Sequence, residues 1–179
     1  MELATLAGGC FWCTEAVFQK LKGVVAVTPG YTGGHIPHPS YEDVSSGESG
    51  HAEAIQVKYN PKEISFETLL DVFWQLHDPT TLNQQGADHG TQYRSAIFYH
   101  NEKQREIAER SLELAEKSGL YSDSFVTEIV PFDTFYEAEE EHRNFYENNP
   151  NQPYCKIVID PKITKLFKKF DSLIKEEEK

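Results

Sequence analysis

Apolar residues recur along this chain with two different spacings, and the switches between them mark out its elements. Ala4 to Ala7 is a short apolar run closed by Gly8-Gly9, which predicts a strand and a tight turn. Phe11 to Leu21 follows as a helix stopped by Gly23. Val24 to Tyr31 and Ala52 to Tyr59 read as strands, the first rich in β-branched residues and the second with Ile55, Val57 and Tyr59 on one face before Asn60-Pro61 ends it. Ser65 precedes Phe66, Leu69, Leu70 and Phe73, which are spaced i, i+3, i+4 and i+7, so it caps an amphipathic helix that stops near Asp78-Pro79. Tyr93 to Tyr99 reads as a further strand, and Asn101 to Ser118 as a long helix stopped by Gly119.

The order β-α-β-β-α-β predicts an α+β fold: a two-layer sandwich with a ferredoxin-like core, a largely antiparallel sheet and helices on one face. A strand near Val126 to Val130, an acidic helix from Tyr136 to Tyr146, a loop from Asn148 to Tyr154 and a last helix after Asp160-Pro161 are expected to extend this core as extra C-terminal elements. Two long polar segments, Thr32 to Ser49 and Thr80 to Gly90, interrupt the pattern, and loops of that length in a compact domain are often functional. With no repeat and no linker, residues 1–179 are expected to form one domain.

Charge narrows the partners. The formal net charge of -12 argues against nucleic acid and anionic membrane surfaces, which reward clustered Lys and Arg. The run Glu137 to Glu141 and the tail Lys175 to Lys179 read as solvated faces. No secretory signal and no membrane span is legible, so the expected location is the cytoplasm, where thiols stay reduced. Three cysteines are too few for a disulfide framework and argue for chemistry. Met1 is the sole methionine, and thioethers are easily oxidised.

The candidate chemistry begins at Gly9-Cys10-Phe11-Trp12-Cys13-Thr14-Glu15. Cys10 is predicted at a helix N-terminus, where unpaired backbone N–H groups and the macrodipole favour a thiolate. The same residues also fit a buried core, half of a zinc site or a thiol–disulfide redox pair. Zinc would need a second close Cys or His pair, and Cys155 is isolated. The polar loops offer Tyr41, Glu53 at the start of a strand, Asp88 and Tyr93.

Five ordered segments together, Gly8-Gly9-Cys10-Phe11-Trp12-Cys13, Gly30-Tyr31-Thr32-Gly33-Gly34, Pro39-Ser40-Tyr41-Glu42-Asp43-Val44, Gly50-His51-Ala52-Glu53 and Asp88-His89-Gly90-Thr91-Gln92-Tyr93-Arg94-Ser95, resemble the signatures of the A-type peptide methionine sulfoxide reductases. The likeness continues through Phe98-Tyr99 and Pro153-Tyr154-Cys155. The resemblance implies a cofactor-free, metal-free thiol enzyme that reduces methionine-S-sulfoxide, free or in oxidised proteins, and is recycled by thioredoxin or another dithiol. It is expected to act as a monomer.

The resemblance also implies roles. Cys10 is the nucleophile on sulfur and becomes a sulfenic acid; Glu53 is the proton donor to the sulfoxide oxygen, which requires burial to keep it protonated. Tyr41 and Tyr93 hydrogen-bond that oxygen. Phe11 and Trp12 form the pocket for the S-methyl group, and Asp88 lines the site. Cys155, on a loop able to swing, or Cys13, three residues along the helix, resolves the sulfenic acid to a disulfide, with a relay between them as a third route. His51 and His89 receive no catalytic role, and the other histidines are expected in loops or at the surface. Two other classes stay open: a general thiol–disulfide oxidoreductase and a non-catalytic redox sensor or Met-recognition module.

Overall fold

The computed structural model describes residues 1–179. In chain order its elements are β1 (Glu2–Ala7), α1 (Phe11–Phe18), β2 (Val24–Thr32), α2 (Tyr41–Ser45), β3 (Ala52–Tyr59), α3 (Phe66–Leu76), the two-residue strands β4 (Gln84–Gln85) and β5 (Asp88–His89), β6 (Ala96–Tyr99), α4 (Glu102–Lys117), β7 (Glu128–Pro131), β8 (Phe135–Glu137), α5 (Phe145–Asn148) and α6 (Asp160–Phe170). Six strands form one sheet in the order β7-β6-β1-β3-β2-β8. The pairings of β1 with β3 and β6, and of β2 with β3 and β8, are antiparallel, whereas β6 and β7 are parallel. The architecture is α+β with a mixed sheet.

Alternation along β3 decides what this sheet presents to each side. Ile55, Val57 and Tyr59 belong to the main core of 30 buried residues, which they share with Phe11, Val17 and Phe18 of α1 and Leu69, Leu70 and Phe73 of α3. Ala52 and Ala54 point the other way, into a small second cluster with Ala7, Ala96 and Phe98. Glu53 shares the parity of Ile55 and therefore enters the helix-covered side. Burying a carboxyl there is unfavourable unless its proton or its hydrogen bonds are arranged for it.

Several expectations need correction. Residues 136–146 are not one acidic helix: Phe135–Glu137 pairs with β2, with Phe135 packed against the second cluster, and a 3-10 turn at Glu140–His142 precedes the four-residue α5. A local run of acids carries no record of such a long-range pairing. The loop after Thr32 contains α2, whose Ser40 side chain accepts from Asp43 N–H at 3.1 Å while Asp43 accepts from Ser40 N–H at 2.9 Å. Tyr93 lies in a 3-10 turn ahead of β6 rather than within the strand.

The chain is helical from Pro153, well before Asp160-Pro161, and widens to a π-turn over Cys155–Ile159. Pro161 explains the widening, because it donates no hydrogen bond and its ring crowds the carbonyl four residues back. Cys155 thus sits in a helix, fully buried, and not on a swinging loop.

At the other end of α1, Lys20 is buried and held by Glu178 at 2.9 Å and Glu147 at 3.6 Å, so the C-terminal segment pins the element that carries Cys10 and Cys13. No helix is long and apolar enough to cross a membrane.

Candidate active site

The site is assembled at the start of α1. Gly9 adopts φ 88°, where a side chain is strained, and a Cβ on it would meet the Gln85 side chain at 2.7 Å. This turn delivers Cys10 as the N-cap of α1, with no cap hydrogen bond from its side chain. Cys13 N–H donates to the Cys10 carbonyl at 3.0 Å, closing one turn that keeps the two side chains on the same side. The free N–H of Phe11, the first residue of the helix, donates to Glu53 Oε1 at 3.1 Å. Glu53 Oε2 is buried and has no partner.

This environment raises the Glu53 pKa to about 8, chiefly through burial and against the Phe11 hydrogen bond. Glu53 is therefore protonated at neutral pH, and the unpartnered oxygen is the natural position for its hydrogen. Cys10 differs from the sequence expectation of a thiolate. Burial pushes it well above the usual thiol range, aided by the nearby Cys13 and Glu53, and outweighs the end of a helix only eight residues long. Cys13 is the more acidic of the two, lowered to about 7, chiefly by the Cys10 thiol and then by Lys162, so that it is partly ionised near neutral pH.

Two tyrosines close the far side. Tyr41 opens α2 and gives its N–H to Glu139 Oε2 at 2.9 Å, while Glu139 Oε1 accepts from Tyr31 at 2.8 Å. Tyr93 ends the turn Thr91–Tyr93, which is tied to the end of α2 by Thr91 Oγ1 to Gly47 O at 3.1 Å and Gln92 Nε2 to Ser45 O at 3.3 Å. Burial, then Glu53, raises both phenols, so they are neutral donors. Glu53, Cys10 and Asp88 all push the two phenols in the same direction.

Phe11 is fully buried against Tyr31, Tyr41 and His142, behind the half-buried Trp12. Trp12 stacks on Phe145 at 3.6 Å and 5°, and its indole N–H donates to His142 Nδ1 at 3.1 Å. His142 Nε2 therefore bears the ring hydrogen and is buried without a partner. Asp88, presented by the β4–β5 hairpin, accepts from Tyr154 at 2.6 Å, and that phenol lies 3.7 Å from Cys13 Sγ. Burial, then the charge of Cys13, raises the Cys155 thiol.

A family profile described as peptide methionine sulfoxide reductase matches residues 2–174. The chain belongs to the peptide methionine sulfoxide reductase family. A family member from Sulfolobus acidocaldarius, peptide methionine sulfoxide reductase MsrA, is 55% identical over 170 residues, covering 95% of this chain and 96% of that relative. Among solved structures, reduced Mxr1 from Saccharomyces cerevisiae aligns with a TM-score of 0.78 at 40% identity, covering 86% of this chain and 88% of that one. Mxr1 in complex with Trx2 aligns with a TM-score of 0.54 at 33% identity over 80% of this chain and 84% of that one.

For a member of the peptide methionine sulfoxide reductase family, sequence reasoning missed four contributors: Glu139, His142, Phe145 and Tyr154. His142, expected in a loop or at the surface, is instead buried among Phe11, Trp12 and Tyr41. The acidic run hid Glu139 and His142, because four acids in five residues look like a solvated face whatever one of them accepts. Tyr154 adjoins Cys155 within a quoted motif, and that adjacency was the available signal. His51 is structural: Nδ1 accepts from Gly34 N–H at 3.0 Å and Nε2 donates to Ile36 O at 2.7 Å.

Proposed function

We propose that this chain reduces methionine-S-sulfoxide, free or in proteins, to methionine, with Cys10 as the nucleophile and residues 1–179 acting as one catalytic domain. The observation that carries the reading is Glu53: a buried carboxyl with one oxygen held by Phe11 N–H and the other unpartnered, next to a buried thiol. A sulfoxide needs an acid on oxygen as its sulfur is attacked, and a carboxylic acid that keeps its proton at neutral pH supplies it.

The substrate's S-methyl group lies against Trp12, backed by Phe11. Its oxygen takes hydrogen bonds from Tyr41 and Tyr93, and Asp88 borders the same space. Cys10 passes its proton to the Cys13 thiolate as it attacks, and Glu53 protonates the oxygen. The S–O bond breaks, the substrate sulfur gains two electrons, and Cys10 leaves as sulfenic acid.

Cys13 resolves it first, because it lies one helical turn from Cys10, within reach of a disulfide. Water is released. Cys155 then exchanges onto Cys13, and thioredoxin or a similar dithiol reduces the resulting Cys13–Cys155 bond; the Trx2 complex of the yeast relative supports such a partner. No cofactor or metal enters these steps. The three free thiols suit a reducing compartment such as the cytoplasm, and the chemistry requires no second copy. We read β6-β1-β3-β2, with the helices on one face, as a two-layer ferredoxin-like core.

One turnover without reductant tests the scheme. Wild-type protein is expected to release stoichiometric methionine and Cys10→Ser none; wild-type-like release by Cys10→Ser ends the proposal. Mass-spectrometric mapping should then find Cys13–Cys155. A Cys10–Cys155 bond as the first product, caught in a time course, overturns the order.

A further inference from the structure

The recycling steps leave one group unassigned. When Cys10 attacks, Cys13 receives a proton, and it must lose that proton again before it can attack the sulfenic acid, since the thiolate is the nucleophile; by then the Cys10 thiol, the main cause of its lowered pKa, has been oxidised. Glu53 is committed to the oxygen: reprotonated from solvent after the first half-reaction, it is the acid for the departing hydroxide in the second. The hydrogen-bond partner of Cys13 Sγ is the Tyr154 hydroxyl, 3.7 Å away and 2.6 Å from Asp88 Oδ2, while Lys162 borders the same cavity and lowers Cys13 by its charge.

A phenol has one hydrogen, and the short contact to Asp88 fixes where it points. Its oxygen lone pairs are then turned toward Cys13, positioned to accept the S–H. We infer that Tyr154 is a catalytic residue of the recycling step, relaying the Cys13 proton to Asp88 as Cys13 closes onto the Cys10 sulfenic acid. The inference rests on the reductase reading above and extends it.

The atoms balance. Cys13 S–H passes its hydrogen to the Tyr154 oxygen while the Tyr154 hydrogen moves to Asp88 Oδ2, so the phenol is neutral before and after. The Cys13 thiolate attacks Cys10 sulfur, forming S–S and breaking S–OH. The departing hydroxide takes a proton from Glu53 and leaves as water. Asp88, half-exposed on its hairpin, returns its proton to solvent, and Glu53 is again reprotonated from solvent. Net, a sulfenic acid and a thiol become a disulfide and water.

Three features of the fold serve this wire. Tyr154 stands at the helical start just before the π-turn, with its ring edge-on to Trp12 at 5.7 Å and 82°, so the ring is fixed independently of its hydroxyl. Asp88 is held in place because Gln85 of the same hairpin bonds both backbone groups of Asp78, at 2.7 and 2.9 Å. Burial beside two thiols keeps the phenol from ionising, so it passes a proton without becoming a trap for one.

Tyr154→Phe keeps the ring and removes the wire. In a Cys155→Ser background, where only the Cys10–Cys13 bond can close, enzyme is mixed with a methionine sulfoxide peptide without reductant. Methionine release, sulfenic acid trapped by dimedone and thiols remaining are followed in time. The expected result is a stoichiometric methionine burst, whatever its rate, followed by disulfide closure roughly 10²-fold slower than in the parent near neutral pH, the scale of general-base catalysis. Dimedone-labelled Cys10 should accumulate, and closure should recover in alkaline solution as Cys13 ionises unaided.

Closure at the parent rate with no trapped sulfenic acid overturns the relay while leaving the reductase reading intact. Sulfenic acid that persists in the Cys155→Ser parent itself also overturns it, because Cys13 is then not the resolving thiol. Absence of methionine release from wild-type protein sinks the reductase reading instead.

Discussion

Replacing Glu53 by glutamine separates the cost of this carboxyl from its use. Glu53 is 1% exposed and its pKa stands at about 8 instead of 4.5. Between those values the folded protein keeps a proton on Glu53 that the unfolded chain has released, so the folded state is the one that binds more protons. Stability from this group is therefore complete below about pH 4.5 and falls as pH rises, by about 1.4 kcal/mol per unit, until the folded protein also ionises near pH 8. The amide of the Glu53→Gln variant does not titrate. Glu15, His77 and His142 also have shifted values, but both proteins share them and they cancel in the difference. Chemical denaturation at several pH values should find the Glu53→Gln variant gaining on wild type by roughly 4 kcal/mol from about pH 5 to about pH 8. Methionine sulfoxide reduction at neutral pH should meanwhile fall by about 10²–10⁴-fold. A stability difference that does not change with pH would refute the reasoning, since Glu53 would then be ionised in both states.

The other perturbations probe the surroundings of the thiols. Phe145→Ala removes the ring stacked on Trp12, a contact worth about 1 kcal/mol beyond its burial, so KM for sulfoxide should rise several-fold with little change in the saturated burst rate; an unchanged KM removes Phe145 from the substrate wall. Glu15→Ala takes the acceptor from Asn144 N–H, 3.1 Å from Glu15 Oε2, and should cost about 1–3 kcal/mol in a denaturant melt. Because burial lifts Glu15 to about 7, Glu15→Gln should flatten part of the stability loss between about pH 5 and about pH 7, and identical pH profiles would contradict this. Pro161→Ala should let the π-turn close as α-helix and slow thioredoxin-driven turnover, leaving the first methionine burst intact; faster recycling would reverse the assignment.

What could be read in advance follows from how local each signal is. The burial parity of β3 and the apolar face of α3 are written in spacing alone, and both are found where spacing puts them. The side of the sheet entered by Glu53 followed from the same alternation. The protonation of the thiols did not, because desolvation depends on what lands on top of a residue, and Phe145, His142 and Tyr154 arrive from far along the chain, as the 130-residue separation of the Trp12–His142 bond illustrates. The capping box at Ser40 and Asp43 was legible and would have revealed α2. The strand Phe135–Glu137 was not, since only its pairing with β2 distinguishes it from a charged helix.

With Cys155 as the proposed recycling thiol, its place in a π-turn, and not on a free loop, changes what sets the pace of regeneration. A loop thiol would meet its partners by diffusion on the timescale of loop motion. A thiol fully buried in the opening turns of a helix can present itself only when those turns fray, so its availability is a local unfolding equilibrium with a temperature dependence of its own. Amide hydrogen exchange over residues 153–159 would then report, in the resting protein, the fraction of molecules whose Cys155 is free to enter the exchange. The gap between that fraction and unity is the factor by which a warmer or more easily frayed homologue could turn over faster with the same thiols.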